Sequence, residues 1–142
     1  MPQPLKISFT LNATAEKIWH ALTDKEAMKI WYFDIPDFEL KVGAVFNFYE
    51  PGGANKYHHQ CTITTIVSNE KFQHTWTHPS HSNGSSILTW NLQQQNDMTV
   101  VTLVHEGLEN FADGGKDFAS ENYEAGWNEL VGKSLRYFVE KN

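Results

Sequence analysis

Alternation of polar and apolar residues predicts β-strands in two parts of the chain. Lys6 to Leu11 alternates through Ile7 and Phe9, which is typical of a half-buried strand. The same period of two returns at Asp37 and continues to Gly107. It predicts six further strands, at 38–40, 44–49, 57–67, 71–78, 87–93 and 98–105. Because short polar turns separate them, and a glycine-rich loop is expected at 51–55, we predict an antiparallel meander.

Helical spacing of apolar residues appears in two short segments that follow the first strand. Ala15 to Leu22 has Ile18 and Trp19 on one face, with capping side chains just before it. A second short helix is predicted over 25–31. It should end before Pro36, because the residue that precedes a proline avoids the helical backbone conformation.

The C-terminal part of the chain carries one long apolar stripe at helical spacing. Its members are Tyr123, Trp127, Leu130, Val131, Ser134, Leu135 and Phe138. They predict a helix from residue 116 or 117 to Glu140, about 36 Å long at 1.5 Å per residue. The chain therefore reads as one α+β domain over residues 1–142, whose seven-stranded antiparallel sheet wraps around this helix.

Composition and charge exclude several classes of protein. The net charge is −6 and the eleven basic residues are scattered, whereas nucleic-acid binding needs a clustered basic face. The lone cysteine, Cys61, excludes an intramolecular disulfide and is expected to be a core thiol. The N-terminal residues do not resemble a signal peptide, and no apolar run is long enough to insert into a membrane. We therefore expect a cytoplasmic protein.

The order of elements and several local motifs together resemble one superfamily. The motifs are residues 15–24 in the first helix, Trp31, Val42-Gly43, Thr75-Trp76, residues 103–108 and Gly126-Trp127. They are similar to the START-like (SRPBCC) superfamily with its helix-grip fold. More narrowly, they resemble the family named for the activator of the Hsp90 ATPase, in its single-domain bacterial form. The resemblance implies a cavity between sheet and helix that relatives use for lipids, polyketides, hormones or aromatic metabolites. It also implies that many relatives have no known ligand, and it brings a stress-linked partner of a chaperone into consideration.

Histidines and possible nucleophiles point to no catalytic or metal motif. Zinc needs three or four converging ligands, and no paired helical histidine motif is present among the seven histidines. We therefore expect surface or edge histidines, no metal and no cofactor. No glycine-framed nucleophilic serine occurs, and neighbours such as His105 and Glu106 face opposite sides of a strand.

Aromatic and histidine side chains are the strongest candidates for a binding site. By period two, His74 and Trp76 share one strand face, and Trp90 and His105 lie on the corresponding faces of two later strands. We predict that these faces meet the stripe of the last helix. The predicted ligand-binding residues are His74, Trp76, Trp90, His105, Tyr123 and Trp127.

Two interpretations of this set stay open, a packed core and a pocket. The mixture of large rings with a few polar groups favours a pocket, because packed cores rarely contain such groups. The segment from Gly107 to Gly115 is either a plain connection or a gate with Phe111 as its lid.

Three classes of function are consistent with the sequence. The first is binding of a small hydrophobic or aromatic molecule. The second is an enzyme of cyclase or hydratase type that uses the same cavity. The third is a chaperone-interacting protein that works through its surface, and a homodimer is compatible with all three.

Overall fold

The computed structural model describes residues 4–49, 58–115 and 120–141, and the loop predicted at 51–55 lies outside them. The strands are β1 (Leu5–Leu11), β2 (Val45–Tyr49), β3 (His58–Val67), β4 (Lys71–Thr77), β5 (Ser85–Gln95) and β6 (Met98–Glu106). Two helices, α1 (Ala15–Thr23) and α2 (Lys25–Trp31), follow β1. After β6 come a 3₁₀ helix (Leu108–Gly114), α3 (Ser120–Glu129), a π-helical segment (Leu130–Leu135) and α4 (Arg136–Lys141).

One antiparallel sheet joins all six strands in the order β1-β6-β5-β4-β3-β2. The last five strands, β2 to β6, form the predicted meander. β1 pairs with β6 along its whole length, from Leu5 opposite His105 to Leu11 opposite Thr99. A bulge in β3 between Ile63 and Thr65 interrupts its register with β4. The predicted α+β, helix-grip class is confirmed, with the helices apart from an antiparallel sheet.

The prediction of a seventh strand at 38–40 is wrong within the described part of the chain. Asp37 occupies a backbone donor at the edge of β2, because its carboxylate accepts from the backbone N of Asn47 at 3.0 Å. The same carboxylate also accepts from the side-chain Nδ2 of Asn47 at 3.0 Å. Phe38 nevertheless points inward, with its ring 5.2 Å from that of Phe46. The alternation that suggested a strand therefore came from one half-buried ring in an irregular segment.

Side-chain caps define where α1 and α2 begin. Thr14 Oγ1 accepts from the backbone N of Lys17 at 3.3 Å, and Asp24 Oδ2 accepts from that of Ala27 at 2.9 Å. The indole Nε1 of Trp31 donates to the carbonyl oxygen of Ala21 at 2.8 Å, which ties the two helices together.

The C-terminal helix comprises α3, the π-helical segment and α4. Its predicted start at residue 116 or 117 lies outside the described residues, and from Ser120 it continues unbroken past Glu140. Gly132 allows the helix to approach β1, because a Cβ there would lie 2.8 Å from Cζ of Phe9. The buried side of this helix, with Trp127, Val131 and Leu135, lies against the inner face of the sheet.

A histidine- and aromatic-lined interior as the candidate functional site

All six predicted site residues lie in one cluster between the sheet and the C-terminal helix. Their rings are linked in a chain of contacts: Trp127 lies 5.2 Å from Trp76 and 6.0 Å from Trp90, and Tyr123 lies 5.3 Å from His105. His74 is 6.2 Å from Trp76 on the same strand. The period-two pattern therefore placed every one of these strand positions on the correct, inward face.

A hydrogen-bonded chain joins the C-terminal helix to three strands through His105. Trp127 Nε1 donates to His105 Nδ1 at 3.2 Å. Because Nδ1 accepts, the proton is on Nε2, which donates to Ser86 Oγ at 2.7 Å. Ser86 Oγ in turn donates to the carbonyl oxygen of Trp76 at 3.2 Å. Both ring nitrogens of His105 are thus satisfied, and its tautomer is fixed.

His78 receives two donors at the end of β4. The Tyr123 hydroxyl lies 2.5 Å from Nε2 of His78, and Trp76 Nε1 donates to the same nitrogen at 3.3 Å. Nε2 is therefore the unprotonated nitrogen. Tyr123 and Trp127, one helical turn apart, anchor the helix to the sheet through two different histidines.

His74 uses only one of its two ring nitrogens. Nδ1 donates to the carbonyl oxygen of Thr75 at 2.8 Å, which leaves Nε2 unprotonated. Among the described residues no group donates a hydrogen bond to this nitrogen. Its ring is buried between Phe46 and Phe72, at 5.1 and 5.2 Å. His74 therefore presents an unused acceptor in an aromatic environment.

Burial keeps the ionisable groups of the interior uncharged at neutral pH. Desolvation lowers the pKa of His74 and of His78 to about 4, and that of His105 to about 3. Desolvation also raises the pKa of the Cys61 thiol and, together with the nearby Cys61, that of the Tyr32 hydroxyl. The interior is thus polar at a few atoms but electrically neutral.

The general expectation of surface or edge histidines is wrong for four of the seven, although the strand pattern had placed two of the four, His74 and His105, on the inward face. His59, His74, His78 and His105 are buried. His59, His74 and His105 occupy the inward phase of their strands, and His78 directly follows β4 in the same phase. His59 stacks on Phe48 with a ring separation of 4.5 Å. A neutral imidazole is a flat, uncharged aromatic ring, so ring contacts and hydrogen bonds to its nitrogens make its burial tolerable.

Tyr32 belongs to this cluster but was not predicted from the sequence. The chain turns at the end of α2, and the Tyr32 ring enters the interior, 6.3 Å from Trp127 and 6.5 Å from Trp90. Its hydroxyl oxygen is buried, and among the described residues it has no hydrogen-bond partner. The only signal in the sequence was the run Trp31-Tyr32-Phe33 at the predicted helix end.

Phe111 closes the end of the cluster at which His78 lies. Its buried ring is 4.9 Å from His78 and 6.0 Å from Tyr123. The 3₁₀ helix that carries it is tied down by Asp113, whose carboxylate accepts from Ser82 Oγ and from the backbone N of Asn83. The segment is an anchored connection in this structure, and its opening as a lid stays a prediction.

The described residues contain neither a cluster of metal ligands nor a membrane-spanning helix. They contain no group of three or more histidine, cysteine or acidic side chains that could hold a metal ion. No helix in that same part of the chain is long and apolar enough to cross a membrane.

Comparison with known structures places this architecture in the helix-grip class. A protein from Mesorhizobium loti, MLL2253, superposes with a TM-score of 0.83 at 19% identity, covering 99% of this chain and 98% of the other. CV1439 from Chromobacterium violaceum gives 0.83 at 20% identity over all of both chains. The Aha1 dimer from Colwellia psychrerythraea gives 0.74 at 21% identity, covering 98% and 97%. At these identities the similarity establishes the fold alone.

The family follows from a sequence model rather than from these structures. Residues 12–140 match the family described as activator of Hsp90 ATPase homolog 1-like protein, and the chain belongs to that family. Among curated protein sequences none matches the chain.

Proposed function

We propose that this protein binds a small, uncharged, aromatic molecule in the interior between the sheet and the C-terminal helix. Ring contacts would supply most of the affinity, and the Tyr32 hydroxyl and His74 Nε2 would fix the orientation of the ligand. The observation that carries the proposal is the buried Tyr32 hydroxyl, which has no hydrogen-bond partner within the described part of the chain.

An unpaired hydroxyl in the interior has a cost that selection for stability alone would remove. Leaving a buried donor unsatisfied destabilises a protein by about 1–3 kcal/mol. Phenylalanine at position 32 would keep the same ring contacts without that cost. A ligand carbonyl or ether oxygen that accepts from the Tyr32 hydroxyl would satisfy this donor and offset the cost of burying it.

His74 supplies the complementary half of such a site. Its Nε2 accepts from no described residue, so a ligand O–H or N–H can donate to it. The site would then offer one donor and one acceptor on an aromatic background, a composition common in pockets for small molecules. We expect ligands such as phenolic or amide-bearing aromatic compounds.

The electrostatics of the interior support an uncharged ligand. The described groups that line it carry no formal charge at neutral pH, since burial lowers the pKa values of His74, His78 and His105. An ionic ligand would leave water without gaining a counter-ion, which is strongly unfavourable.

The same pKa values favour binding over catalysis in this interior. General bases work best when their pKa lies near the operating pH, whereas these histidines have pKa values of about 4 or below. The Cys61 thiol is protonated as well, because burial raises its pKa. Cyclase or hydratase activity, chaperone contact and a role in stress stay predictions from the resemblance. A cytoplasmic location stays a prediction from the sequence.

Two matched fluorescent probes test this function. N-phenylnaphthylamine and anilinonaphthalenesulfonate share one aromatic skeleton, and only the second carries a sulfonate charge. We expect the neutral probe to quench tryptophan emission and to bind at least about tenfold more tightly, a difference of about 1.4 kcal/mol. Equal affinities, or tighter binding of the sulfonate, would contradict a neutral interior site.

Replacing Tyr32 by phenylalanine separates ligand binding from folding. In the ligand-free protein we expect Tyr32→Phe to raise the free energy of unfolding by about 1 kcal/mol, because it removes an unsatisfied buried hydroxyl. The same change should weaken binding of an aromatic ketone. Chemical denaturation and a binding titration measure the two effects. Tyr49→Phe, at an exposed tyrosine, is the control and should change neither the free energy of unfolding nor the affinity for the ketone. A destabilised Tyr32→Phe protein would show that the hydroxyl is already paired.

A further inference from the structure

The outer face of the C-terminal helix carries a ridge of three residues spaced four apart. Glu129, Lys133 and Tyr137 point to solvent, and the first two form an ion pair at 3.2 Å. Residues at this spacing form the ridges that pack into grooves between helices. This face is separate from the interior site and plays no part in it.

A groove lies on each side of this ridge. The larger one, of about 810 Å³, separates the ridge from α2 and is lined by Ile30, Trp31, Glu129, Leu130, Lys133, Ser134, Tyr137 and Phe138. The smaller one, of about 470 Å³, is lined by Gly132, Lys133, Arg136, Tyr137 and Glu140. A ridge with a groove on either side is the shape that a second helix of the same kind fits.

We propose that this face binds the same face of a second copy of the chain, with the two C-terminal helices antiparallel across a twofold axis. The charges on the ridge are self-complementary in that arrangement. With the axis at the level of Val131, Glu129 lies opposite the partner's Lys133, and Lys133 lies opposite the partner's Glu129. The ion pair within each helix is thereby exchanged for two pairs between helices.

The same register also matches large side chains with small ones. Tyr137 lies opposite the partner's Ala125, an exposed residue with a short side chain. Next to it, Gly126 has open space, since no atom of the described residues outside the adjacent helix backbone lies within 4 Å of where its Cβ would be. The end of each helix that carries Tyr137 thus packs against the end of the other helix that carries the small residues Ala125 and Gly126.

Exposed apolar side chains on this face supply a reason for it to be covered. Ile30 and Tyr137 are 74% and 66% exposed, more than any other large hydrophobic residue in the described part of the chain. Ile30 lies at the edge of the larger groove, where a second copy would bury it. Association would remove both side chains from water.

Charge reversal with compensation tests the proposed dimer. Sedimentation equilibrium over a wide range of protein concentration gives the dissociation constant of the dimer. Glu129→Lys and Lys133→Glu should each weaken it by about tenfold or more, because each places like charges opposite one another. The double variant restores opposite charges in both pairs, and it should recover most of the wild-type affinity. Glu70→Lys, in the turn between β3 and β4, is the control and should leave the dissociation constant unchanged.

Circular dichroism of each variant shows whether the helix is intact. Ile30→Glu, which leaves the helix ridge untouched, should also favour the monomer. Wild-type protein that stays monomeric at every concentration would overturn the proposal. A dimer insensitive to both single reversals and to Ile30→Glu would overturn it too, because association would then use another surface.

Discussion

Replacing Trp127 with alanine should lower the free energy of unfolding by about 3–5 kcal/mol. The indole is 3% exposed and lies within contact distance of Trp76, Trp90 and His105. The change creates a large cavity and also removes the donor to His105 Nδ1. Urea denaturation followed by circular dichroism measures the loss.

Trp127→Phe is the matched variant, since it keeps an aromatic ring and removes only the indole N–H and some volume. It should lose less stability than alanine does. A loss below about 1 kcal/mol for Trp127→Ala would show that the helix stripe does not anchor the sheet.

Acidification should destabilise the folded protein well above the pH at which carboxylates titrate. Three of the four buried histidines, His74, His78 and His105, have folded pKa values of about 4, 4 and 3, against an ordinary value of 6.5. Between those limits the unfolded chain binds more protons, so stability falls as the pH decreases. Each histidine contributes a slope of up to about 1.4 kcal/mol per pH unit. Above pH 6.5 these groups should leave stability independent of pH.

The slope of unfolding free energy against pH tests this account. Denaturation at several pH values between about 6.5 and 4.5 gives that slope for wild type. His74→Asn keeps a donor for the Thr75 carbonyl oxygen and removes one titrating group, so its slope should be shallower by up to about 1.4 kcal/mol per pH unit. His20→Asn, at an exposed helix position, is the comparison variant. A wild-type stability that is flat across this range would contradict neutral, buried histidines.

Period-two alternation was enough to predict which strand positions face inward. The predicted inward positions all lie in the interior: His74, Trp76, Trp90 and His105. A shift of one residue would have turned a whole strand face outward, so the alternation was read in the correct phase on each strand. The same pattern failed at 38–40. There a side chain, Asp37, satisfies the edge of β2, and alternation cannot reveal such a contact.

The hydrophobic pattern of the sequence could not predict which groups hydrogen-bond to buried polar side chains. It also could not predict the direction of the chain after a helix. The sequence indicated that His105 is inward, but not that Trp127 and Ser86 would satisfy both of its nitrogens. Tyr32 was missed because its direction depends on the backbone turn after α2. A residue just past a helix end has no periodicity from which to infer its side.

An NMR titration with N-phenylnaphthylamine tests the central claim most directly, because the five tryptophan indole N–H resonances report from different places. We expect Trp90 and Trp127, which lie beside Tyr32, to shift together with the Tyr32 ring and to saturate at one probe per chain. Shifts confined to the surface around Ile30 and Tyr137, or the absence of any shift at the interior indoles, would contradict binding between the sheet and the C-terminal helix.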